Sequence, residues 1–464
     1  MSNAHDHTVA ALSTPAGESG IAVVRLSGSD ALEILTAVYR TIGGTPQPGP
    51  WEHRRLYHGF LLGAGTEAID EVVCAVMRGP ESYTGEDVVE ISCHGNTLLV
   101  SRILEALFAA GARPAPPGEF TRRAFLNGKL DLIQAEAVAD LIHSRSELQQ
   151  KVAREQLAGT LSRRINDLAA EVLDLLAIIE ANIDFIEEAI DTIDYDVGIA
   201  LARAHREKLG ELLASAPLTR PFREGYRVGI AGPVNAGKSS LFNRLIGENR
   251  AIVTEIPGTT RDVIREPVVL DGLLFILHDT AGLRGTSDGV ERIGVALAET
   301  TAEEADVVLF VVDGAAPLSE DTRSRIGRLD AKKTLIVVNK IDLPAVVTPD
   351  RVRASRCDIP VLAVSVETGE GIGEIARALV RRAGEEGLGW IARERIALNA
   401  RIVSLLEEAS LRLEALEAGL AMRSPLEILA VDAREVLSCY ELATGKRYSE
   451  ELLDTIFSRF CIGK

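Results

Sequence analysis

The chain has 464 residues, a net charge of −18 and 46% hydrophobic residues, which suits about three domains with cores of their own. No run approaches the roughly 20 apolar residues of a membrane span, and no basic-then-apolar signal segment opens the sequence. These features predict a cytoplasmic protein without membrane attachment. The acidic balance argues against a broad nucleic-acid-coating surface, so any RNA contact should be local or shared with a partner.

The five cysteines are Cys74, Cys93, Cys357, Cys439 and Cys461. They form no CxxC pair, so the sequence indicates neither a disulfide framework nor a zinc ribbon. Cys461 is either a nucleophile or a residue that lines a pocket. Beyond Arg459 and Lys464 it has no basic neighbour that would activate a thiolate, which favours the second role.

Residues 8–118 have the pattern of a mixed α/β domain with its own core. Apolar residues alternate in the strand segments and recur every three to four residues in the helical ones. The predicted elements are strands 21–28, 71–79 and 87–95 and helices 31–39 and 98–110. His94, isolated beside Gly95, favours a turn or packing role over a ligand or catalytic one.

After Glu119 the sequence becomes helical, with few glycines and a near-heptad apolar rhythm. The stripe comprises Leu161, Ile165, Leu168, Val172, Leu175, Ile179, Ile183 and Ile186. Such a stripe suits the core of a helical bundle or a helix-pair interface. The segment 217–225 is predicted to be a polar linker.

The stretch 228–240, VGIAGPVNAGKSS, predicts a phosphate-binding loop between an apolar strand and a helix. Gly232 and Gly237 bracket four residues and precede Lys238 and Ser239, the spacing of a P-loop. Lys238 would neutralise the β- and γ-phosphates and Ser239 would offer its hydroxyl to Mg²⁺, at the positive end of the new helix. Taken alone, the stretch also fits a glycine-rich turn between a strand and a helix.

Further nucleotide-binding motifs follow at strand ends. Asp279, at the end of an apolar run, would reach Mg²⁺ through water, and the N–H of Gly282 would meet a γ-phosphate. The segment GTTRD supplies the candidate threonines Thr259 and Thr260. Together with the P-loop and the segment NKID at 339–342, they make four motifs in a workable order, which indicates a nucleotide-binding domain.

The segment NKID favours guanine over adenine. The carboxylate of Asp342 can accept two N–H bonds from a guanine edge, a pair that adenine does not offer. Asn339 and Lys340 would hold the loop and cover the base, and Ser365 would complete the base pocket through its backbone. These residues predict a GTP-binding domain.

Two features make this site more specific. The segment DTAG, residues 279–282, is followed by the apolar Leu283 and not by a water-orienting Gln. Glu291, in the polar segment that follows, is therefore a candidate for orienting the attacking water. The alternative is that Glu291 is an exposed glutamate on a helix face. Asn235, inside the P-loop, would coordinate a monovalent cation, placing positive charge where other GTPases use an arginine finger.

Helical segments return after the nucleotide domain. The predicted helices are 391–416, 425–442 and 449–460, the last with Ser449 as its N-cap and acidic residues in its first turn. Because helical segments flank the nucleotide domain on both sides, we infer that this domain is inserted within one discontinuous helical domain. Its nucleotide state would then be transmitted through two covalent hinges. The alternative is an independent tethered domain. The predicted domains are 1–118, 119–223, 224–383 and 384–464.

Characteristic segments occur along the chain: GPVNAGKSS, AIVTEIPGTTRD, DTAGLR followed by VERIG, NKID, PGEFTRRAFLNGKLDLIQAEAVADLI and the terminal FCIGK. In these segments the chain resembles the MnmE (TrmE) family of tRNA-modifying GTPases. The matches span nearly the full length, and the two last segments are far more specific than the GTPase motifs. The family's usual P-loop has Pro directly before Asn, where this chain has Val234 with Pro233 one residue earlier, a position that contributes mainly backbone.

The resemblance implies a multidomain fold: an N-terminal α+β folate-binding-like domain, a discontinuous helical domain and an inserted Ras-like P-loop GTPase domain with a doubly wound sheet. It implies a potassium-dependent GTPase that adds an aminomethyl or carboxymethylaminomethyl group at C5 of the wobble uridine (U34) of certain tRNAs. The implied partners are tRNA, a second copy bound through the N-terminal domain, and an FAD-dependent MnmG-type protein. The implied carbon donor is a 5-formyl or 5,10-methylene tetrahydrofolate, with GTP hydrolysis driving G-domain dimerisation and conformational cycling.

The resemblance also assigns site residues. Glu291 would orient the attacking water. The implied GTP-binding residues are Asn235, Ala236, Gly237, Lys238, Ser239, Ser240, Thr254, Ile256, Thr259, Thr260, Asp279, Thr280, Ala281, Gly282, Asn339, Lys340, Asp342 and Ser365. The implied ion ligands are Ser239 and Thr260 for Mg²⁺, and Asn235, Thr254, Ile256 and Thr259 for K⁺. The implied folate residues are Arg25, Glu90, Lys129 and Lys464; from their chemistry alone, each fits a surface ion pair equally well.

Two other functions fit parts of the sequence. A GTP-dependent ribosome-assembly or RNA-binding switch is disfavoured by the helical insertion and the lack of an RNA-binding signature such as the GXXG of KH domains. A phosphotransfer enzyme acting on a small acceptor is disfavoured more strongly, because NKID selects guanine and no acceptor site is recognisable.

Overall fold

The computed structural model describes residues 7–47, 49–63, 67–184, 195–249, 265–279, 305–384 and 389–464. They form two compact units: Met1–Ala139 with Leu157–Ala177 and Ala433–Lys464, and Asp140–Gln156 with Ile178–Asp432. Within the described ranges, no helix is both long and apolar enough to cross a membrane.

The first unit is built on a seven-stranded sheet in the order β3-β4-β5-β6-β2-β1-β7. Its strands are β1 (Val9–Leu12), β2 (Ser19–Ser27), β3 (Tyr39–Thr41), β4 (Arg55–Leu62), β5 (Ala68–Met77), β6 (Val88–Gly95) and β7 (Arg113–Pro114). Neighbouring strands are antiparallel except β1 and β7, which are parallel. The three predicted strands are confirmed as β2, β5 and β6.

Two helices cover one face of this sheet and bury its apolar side chains. They are α1 (Ala31–Val38) and α2 (Thr97–Ala109), as the apolar spacing predicts. The side chain of Asn96 caps α2 by accepting the N–H groups of Leu98 and Leu99, which fixes where the helix starts. The shared core includes Leu35 from α1, Ile103 from α2 and Ile91 from β6.

Between β7 and the second sheet, the described residues form helices. They are α3 (Glu119–Leu126), α4 (Leu132–His143), α5 (Glu147–Leu157), α6 (Thr160–Asp184), α7 (Tyr195–Leu213) and α8 (Ala216–Glu224). The predicted apolar stripe is buried along α6 from Leu161 to Ile179, which confirms its core role. Ile183 is half-buried, and Ile186 lies outside the described residues.

The second sheet has six strands in the order β13-β12-β11-β8-β10-β9. They are β8 (Tyr226–Ala231), β9 (Arg265–Leu270), β10 (Leu273–Asp279), β11 (Val307–Asp313), β12 (Thr334–Asn339) and β13 (Val361–Ala363). All neighbours are parallel except β10 and β9. The accompanying helices are α9 (Lys238–Asn249), α10 (Glu320–Arg328), α11 (Pro349–Ser355) and α12 (Ile372–Ala383).

Separate apolar cores on this sheet show that both of its faces are covered. One core contains Leu309 and Val337, and the other contains Phe310 and Ile336, their neighbours on the same strands. Because successive strand side chains point to opposite faces, this is the doubly wound arrangement that the sequence predicts. The carboxyl ends of the parallel strands therefore meet at one edge, where such sheets bind ligands.

The remaining helices are α13 (Gly389–Glu394), α14 (Ala400–Ala421), α15 (Leu426–Thr444) and α16 (Glu450–Phe457). Ser449 caps α16 by accepting the N–H of Leu452, with Glu450 and Glu451 in the first turn, which confirms that predicted helix start. Leu453 and Phe457 of α16 pack with Phe125 of α3 in a common apolar core.

Two predicted segments are wrong. The predicted linker 217–225 forms helix α8, because Leu218 and Phe222 lie one turn apart and are buried with the core of the second sheet. The predicted helix 391–416 is broken between α13 and α14. Arg395 there has a left-handed φ of 53°, and the side chain of Asn399 starts a new helix by accepting the N–H of Ile402 across 2.8 Å.

Candidate nucleotide site

The loop between β8 and α9 is shaped by two glycines that no other residue replaces without strain. Gly232 has φ of 141°, and a Cβ there would lie 2.1 Å from the carbonyl oxygen of Val311. Gly237 has φ of 95°, and its Cβ would lie 2.2 Å from Nδ2 of Asn339. Between them Asn235 adopts a left-handed φ of 61°. The loop therefore lies tightly against the ends of β11 and β12.

The start of α9 brings together the groups that a phosphate needs. The ammonium of Lys238 lies at the loop, where it donates to the carbonyl oxygens of Gly232 at 3.0 Å and Pro233 at 2.8 Å. Ser239 follows in the first turn and is half-buried, while Ser240 is exposed. A helix N-terminus, a lysine and a hydroxyl fit a nucleotide phosphate with its Mg²⁺.

Asn339, at the end of β12, joins the phosphate loop to the predicted base pocket. Its Nδ2 donates to the carbonyl oxygen of Ala236 at 2.9 Å, and its Oδ1 accepts the N–H of Val366 at 3.1 Å. The residue is only 2% exposed. Both polar ends of a buried amide are thus paired, which fixes the spacing of the two loops.

Ser365 lies at the start of a compact loop that follows β13. Its hydroxyl accepts the N–H of Thr368 at 3.1 Å, its own N–H donates to Glu370, and its carbonyl accepts the N–H of Gly369. The residue is fully buried. Its hydrogen bonds hold the shape of the loop that is predicted to complete the base pocket.

Lys340 and Asp342 are predicted to form the other wall of the base pocket. Lys340 has φ of 66°, and its carbonyl accepts the N–H of Leu343 at 3.1 Å, so residues 340–343 make a turn with Asp342 exposed on it. The ammonium of Lys340 pairs with the carboxylate of Asp313 at 2.6 Å. Sequence reasoning missed Asp313, since only the strand register places it opposite Asn339.

Strand β10 brings the backbone of Asp279 to the same edge of the sheet. Its Cα is the register partner of Ile230, two residues before Gly232. The other predicted phosphate, ion and catalytic residues lie outside the described residues: Thr254, Ile256, Thr259, Thr260, Thr280, Ala281, Gly282 and Glu291.

The predicted folate residues meet in part within the first unit. Arg25 and Glu90 are register partners on β2 and β6, and their side chains form an ion pair at 2.7 Å. Arg25 also donates to the carbonyl oxygen of Gly463 at 3.1 Å. Its guanidinium lies over the rings of Tyr83 and Phe120, at 5.8 and 5.4 Å from their centres, two contacts that sequence reasoning missed.

The chain end docks beside this pair. The carbonyl oxygen of Lys464 accepts the N–H of Phe120 at 3.2 Å, and that of Cys461 accepts the N–H of Gly118 at 3.4 Å. The Cys461 side chain itself is exposed. Lys129 donates to the carbonyl oxygen of Pro80 at 2.9 Å. The last residues of the chain therefore lie beside Arg25, whose guanidinium bonds both Glu90 and the carbonyl of Gly463.

Helix α5 contacts both chain connections of the nucleotide-binding sheet. Gln149 donates to the carbonyl oxygens of Phe222 at 2.8 Å and Arg223 at 3.2 Å, and Gln156 donates to that of Ala397 at 2.6 Å. Val152, between the two glutamines, is buried in the core of this sheet. One face of α5 therefore holds the segment that enters the domain and the segment that leaves it.

Two family models match consecutive parts of the chain. Residues 132–461 match the family model of the MnmE helical domain, and residues 8–129 match that of the GTP-binding protein TrmE N-terminus. A tRNA modification GTPase MnmE of Geobacter sulfurreducens is 45% identical over 462 residues, covering 99% of each chain. That of Symbiobacterium thermophilum is 44% identical over 460 residues, covering 99% of this chain and 100% of its own.

The chain belongs to the MnmE family of tRNA modification GTPases. Membership confirms the resemblance and the predicted GTP hydrolase of tRNA modification. Among solved structures, the G domain of the T. maritima FeoB iron transporter is 29% identical to this MnmE family member, with a TM-score of 0.27, covering 34% of this chain and 98% of its own.

Proposed function

We propose that this protein hydrolyses GTP to drive modification of the wobble uridine (U34) of certain tRNAs at C5. The added group is aminomethyl or carboxymethylaminomethyl, made with an FAD-dependent MnmG-type partner and a tetrahydrofolate one-carbon donor in its 5-formyl or 5,10-methylene form. The observation that carries the nucleotide part is the bridge by Asn339 between the P-loop and the loop at Ser365.

GTP and Mg²⁺ would be held at the strand edge. Lys238 and the first N–H groups of α9 would take the phosphates, while Ser239, with Thr260 and Asp279, would hold the metal. Mg²⁺ supplies charge neutralisation on the phosphate oxygens. Asp342 would accept the N–H groups of guanine, and the buried Asn339 keeps the base and phosphate loops at a fixed separation.

Potassium would bind at Asn235, with Thr254, Ile256 and Thr259 as further ligands. The left-handed backbone of Asn235 and its exposed side chain support this role, because an exposed amide oxygen is free to face an ion at the mouth of the loop. Glu291 would orient the attacking water in place of the Gln that Leu283 replaces. Pairing of two G domains would complete each site.

The folate donor would bind in the first unit. Arg25, Glu90 and Lys464 are supported by their proximity, and Lys129 would meet the negative glutamate tail. The same domain would form the constitutive homodimer. Leu56 and Val73 support this proposal, since both are exposed on the outer face of β4 and β5.

The nucleotide state would reach the helical segments through the two connections that flank the predicted domain 224–383. The bonds of Gln149 to the entering segment and of Gln156 to the leaving one support this route. Both connections contact one helix, so a movement of either connection would strain its hydrogen bond to α5.

The first test is GTP turnover by the purified protein in matched KCl and NaCl buffers of equal ionic strength, with Mg²⁺ present. We expect K⁺ to stimulate turnover at least about tenfold, as an added positive charge at the phosphates would. Equal rates would remove the cation mechanism and favour an RNA-binding switch. The Glu291→Ala variant should bind GTP normally and hydrolyse it about a hundredfold more slowly; unchanged turnover would remove Glu291 from the mechanism.

A further inference from the structure

The turn that carries Asp342 has a backbone conformation that needs support. Lys340 begins this turn with a left-handed φ of 66°, a region that side-chain-bearing residues adopt at a cost. Such conformations persist where surrounding contacts hold them. The position of Asp342, two residues further along, depends on that conformation.

Asp313, at the end of the neighbouring strand β11, provides the contacts. One carboxylate oxygen accepts the ammonium of Lys340 at 2.6 Å, and the other accepts the N–H of Ala315 at 2.8 Å. The side chains of Asp313 and Lys340 are only 21% and 33% exposed. This partial burial and the double use of the carboxylate distinguish the pair from a mobile surface ion pair.

Gly314, next to Asp313, bonds through its backbone to both ends of the loop 339–347, which carries Asp342. Its N–H donates to the carbonyl oxygen of Asn339 at 2.8 Å, and its own carbonyl accepts the N–H groups of Val346 and Val347 at 2.9 Å. A Cβ on Gly314 would lie 2.8 Å from the oxygen of Asn339. The loop 339–347 is therefore closed on residues 313–315.

We propose that Asp313 is a positioning residue for guanine recognition. It does not contact the nucleotide, but acts through Lys340, whose ammonium it holds while the turn presents Asp342 to the base. The proposal rests on the GTP binding of the proposed function. Under this proposal, a residue at the end of β11, outside the NKID motif, contributes to the preference for guanine.

The test is the Asp313→Asn variant of the full-length protein, which keeps the shape of the side chain and removes its charge. We measure dissociation constants for fluorescent GDP and for IDP, which lacks the exocyclic amino group that Asp342 would accept. GDP binding should weaken about tenfold through faster dissociation, IDP binding should weaken less, and the preference for GDP should fall about fivefold.

The matched control is Asp321→Asn, which breaks an exposed ion pair with Arg325 on α10 and should leave both constants unchanged. Lys340→Met, alone and combined with Asp313→Asn, completes a double-mutant cycle in which the two losses should not add. The proposal would be overturned if Asp313→Asn left the ratio of GDP to IDP affinity unchanged, or if the losses in GDP affinity of the two single variants added in the double variant. Either result would count even if the variants were less thermally stable than the wild-type protein. Failure of the wild-type protein to bind GDP would instead count against the proposed function.

Discussion

The side-chain amide of Asn339 donates a hydrogen bond to the carbonyl oxygen of Ala236, which connects the end of β12 to the P-loop. The other end of the same amide accepts the N–H of Val366. A single buried side chain thus couples the proposed phosphate-binding loop to the proposed base-binding loop. The two halves should therefore lose nucleotide affinity together when this residue is changed.

Replacing Asn339 with Ala should disable nucleotide binding before it unfolds the domain. The variant leaves the carbonyl of Ala236 and the N–H of Val366 unpaired, at a cost of about 2–4 kcal/mol. We expect GDP affinity to fall about a hundredfold, as measured by fluorescence titration. Thermal unfolding of the nucleotide-free variant serves as its control. Retained affinity with lowered stability would show that the bridge has no part in binding.

Replacing Gln156 with Leu tests the connection between α5 and the segment that leaves the nucleotide domain. The buried carbonyl of Ala397 loses its donor, which should lower the free energy of unfolding by about 1–3 kcal/mol. GTP turnover should persist, while tRNA modification per GTP hydrolysed should fall. The control is Gln150→Leu on the exposed side of α5. Equal modification yields in both variants would contradict transmission through this contact.

The ion pair between His94 and Asp70 should raise the pH at which the His94 ring loses its proton. The hydrogen bond and charge of Asp70 raise the pKa of His94 above its ordinary value of 6.5. A raised pKa in the folded state means that the pair contributes stability below pH 6.5, which is lost as the pH rises through the higher folded value. NMR titration of the His94 ring should show this, and Asp70→Asn should return the midpoint toward 6.5. A midpoint that Asp70→Asn leaves unmoved would contradict the pairing.

Local patterns predicted the nucleotide domain well, because its signals lie within short stretches. The strand before Gly232, the helix from Lys238 and the strand that ends at Asn339 all follow from apolar runs and glycine spacing. The linker prediction at 217–225 was wrong because the prolines and charged residues of this segment outnumber its two large apolar residues, Leu218 and Phe222. The burial of Leu218 and Phe222 in the core of the second sheet stabilises the helix there.

Contacts between distant segments were beyond sequence reasoning. Asp313 becomes the partner of Lys340 only through the register of β11 and β12. The carbonyl of Ala397, in the break between α13 and α14, accepts a hydrogen bond from Gln156, a contact that the local sequence does not predict. Arg25 and Glu90 were each predicted to meet folate, and their mutual ion pair depends on the pairing of β2 with β6.

The Gly463→Ala variant tests whether the docked chain end serves the proposed folate site. Gly463 is buried with φ of 89°, and a Cβ would lie 2.1 Å from the carbonyl oxygen of Leu12, so Ala should force the terminal segment away from Arg25 and Phe120. We expect carboxypeptidase to remove the end several-fold faster, and tetrahydrofolate binding to weaken about tenfold because Lys464 is displaced.

The control for this variant is Gly20→Ala, in the same unit, where a Cβ meets nothing within 4 Å. It should leave both measurements unchanged. If Gly463→Ala releases the chain end to the protease while folate binding stays at the wild-type level, the docked end is only a structural anchor for α3. Lys464 would then leave the proposed folate site, and Arg25 with Glu90 would have to account for any binding in the first unit.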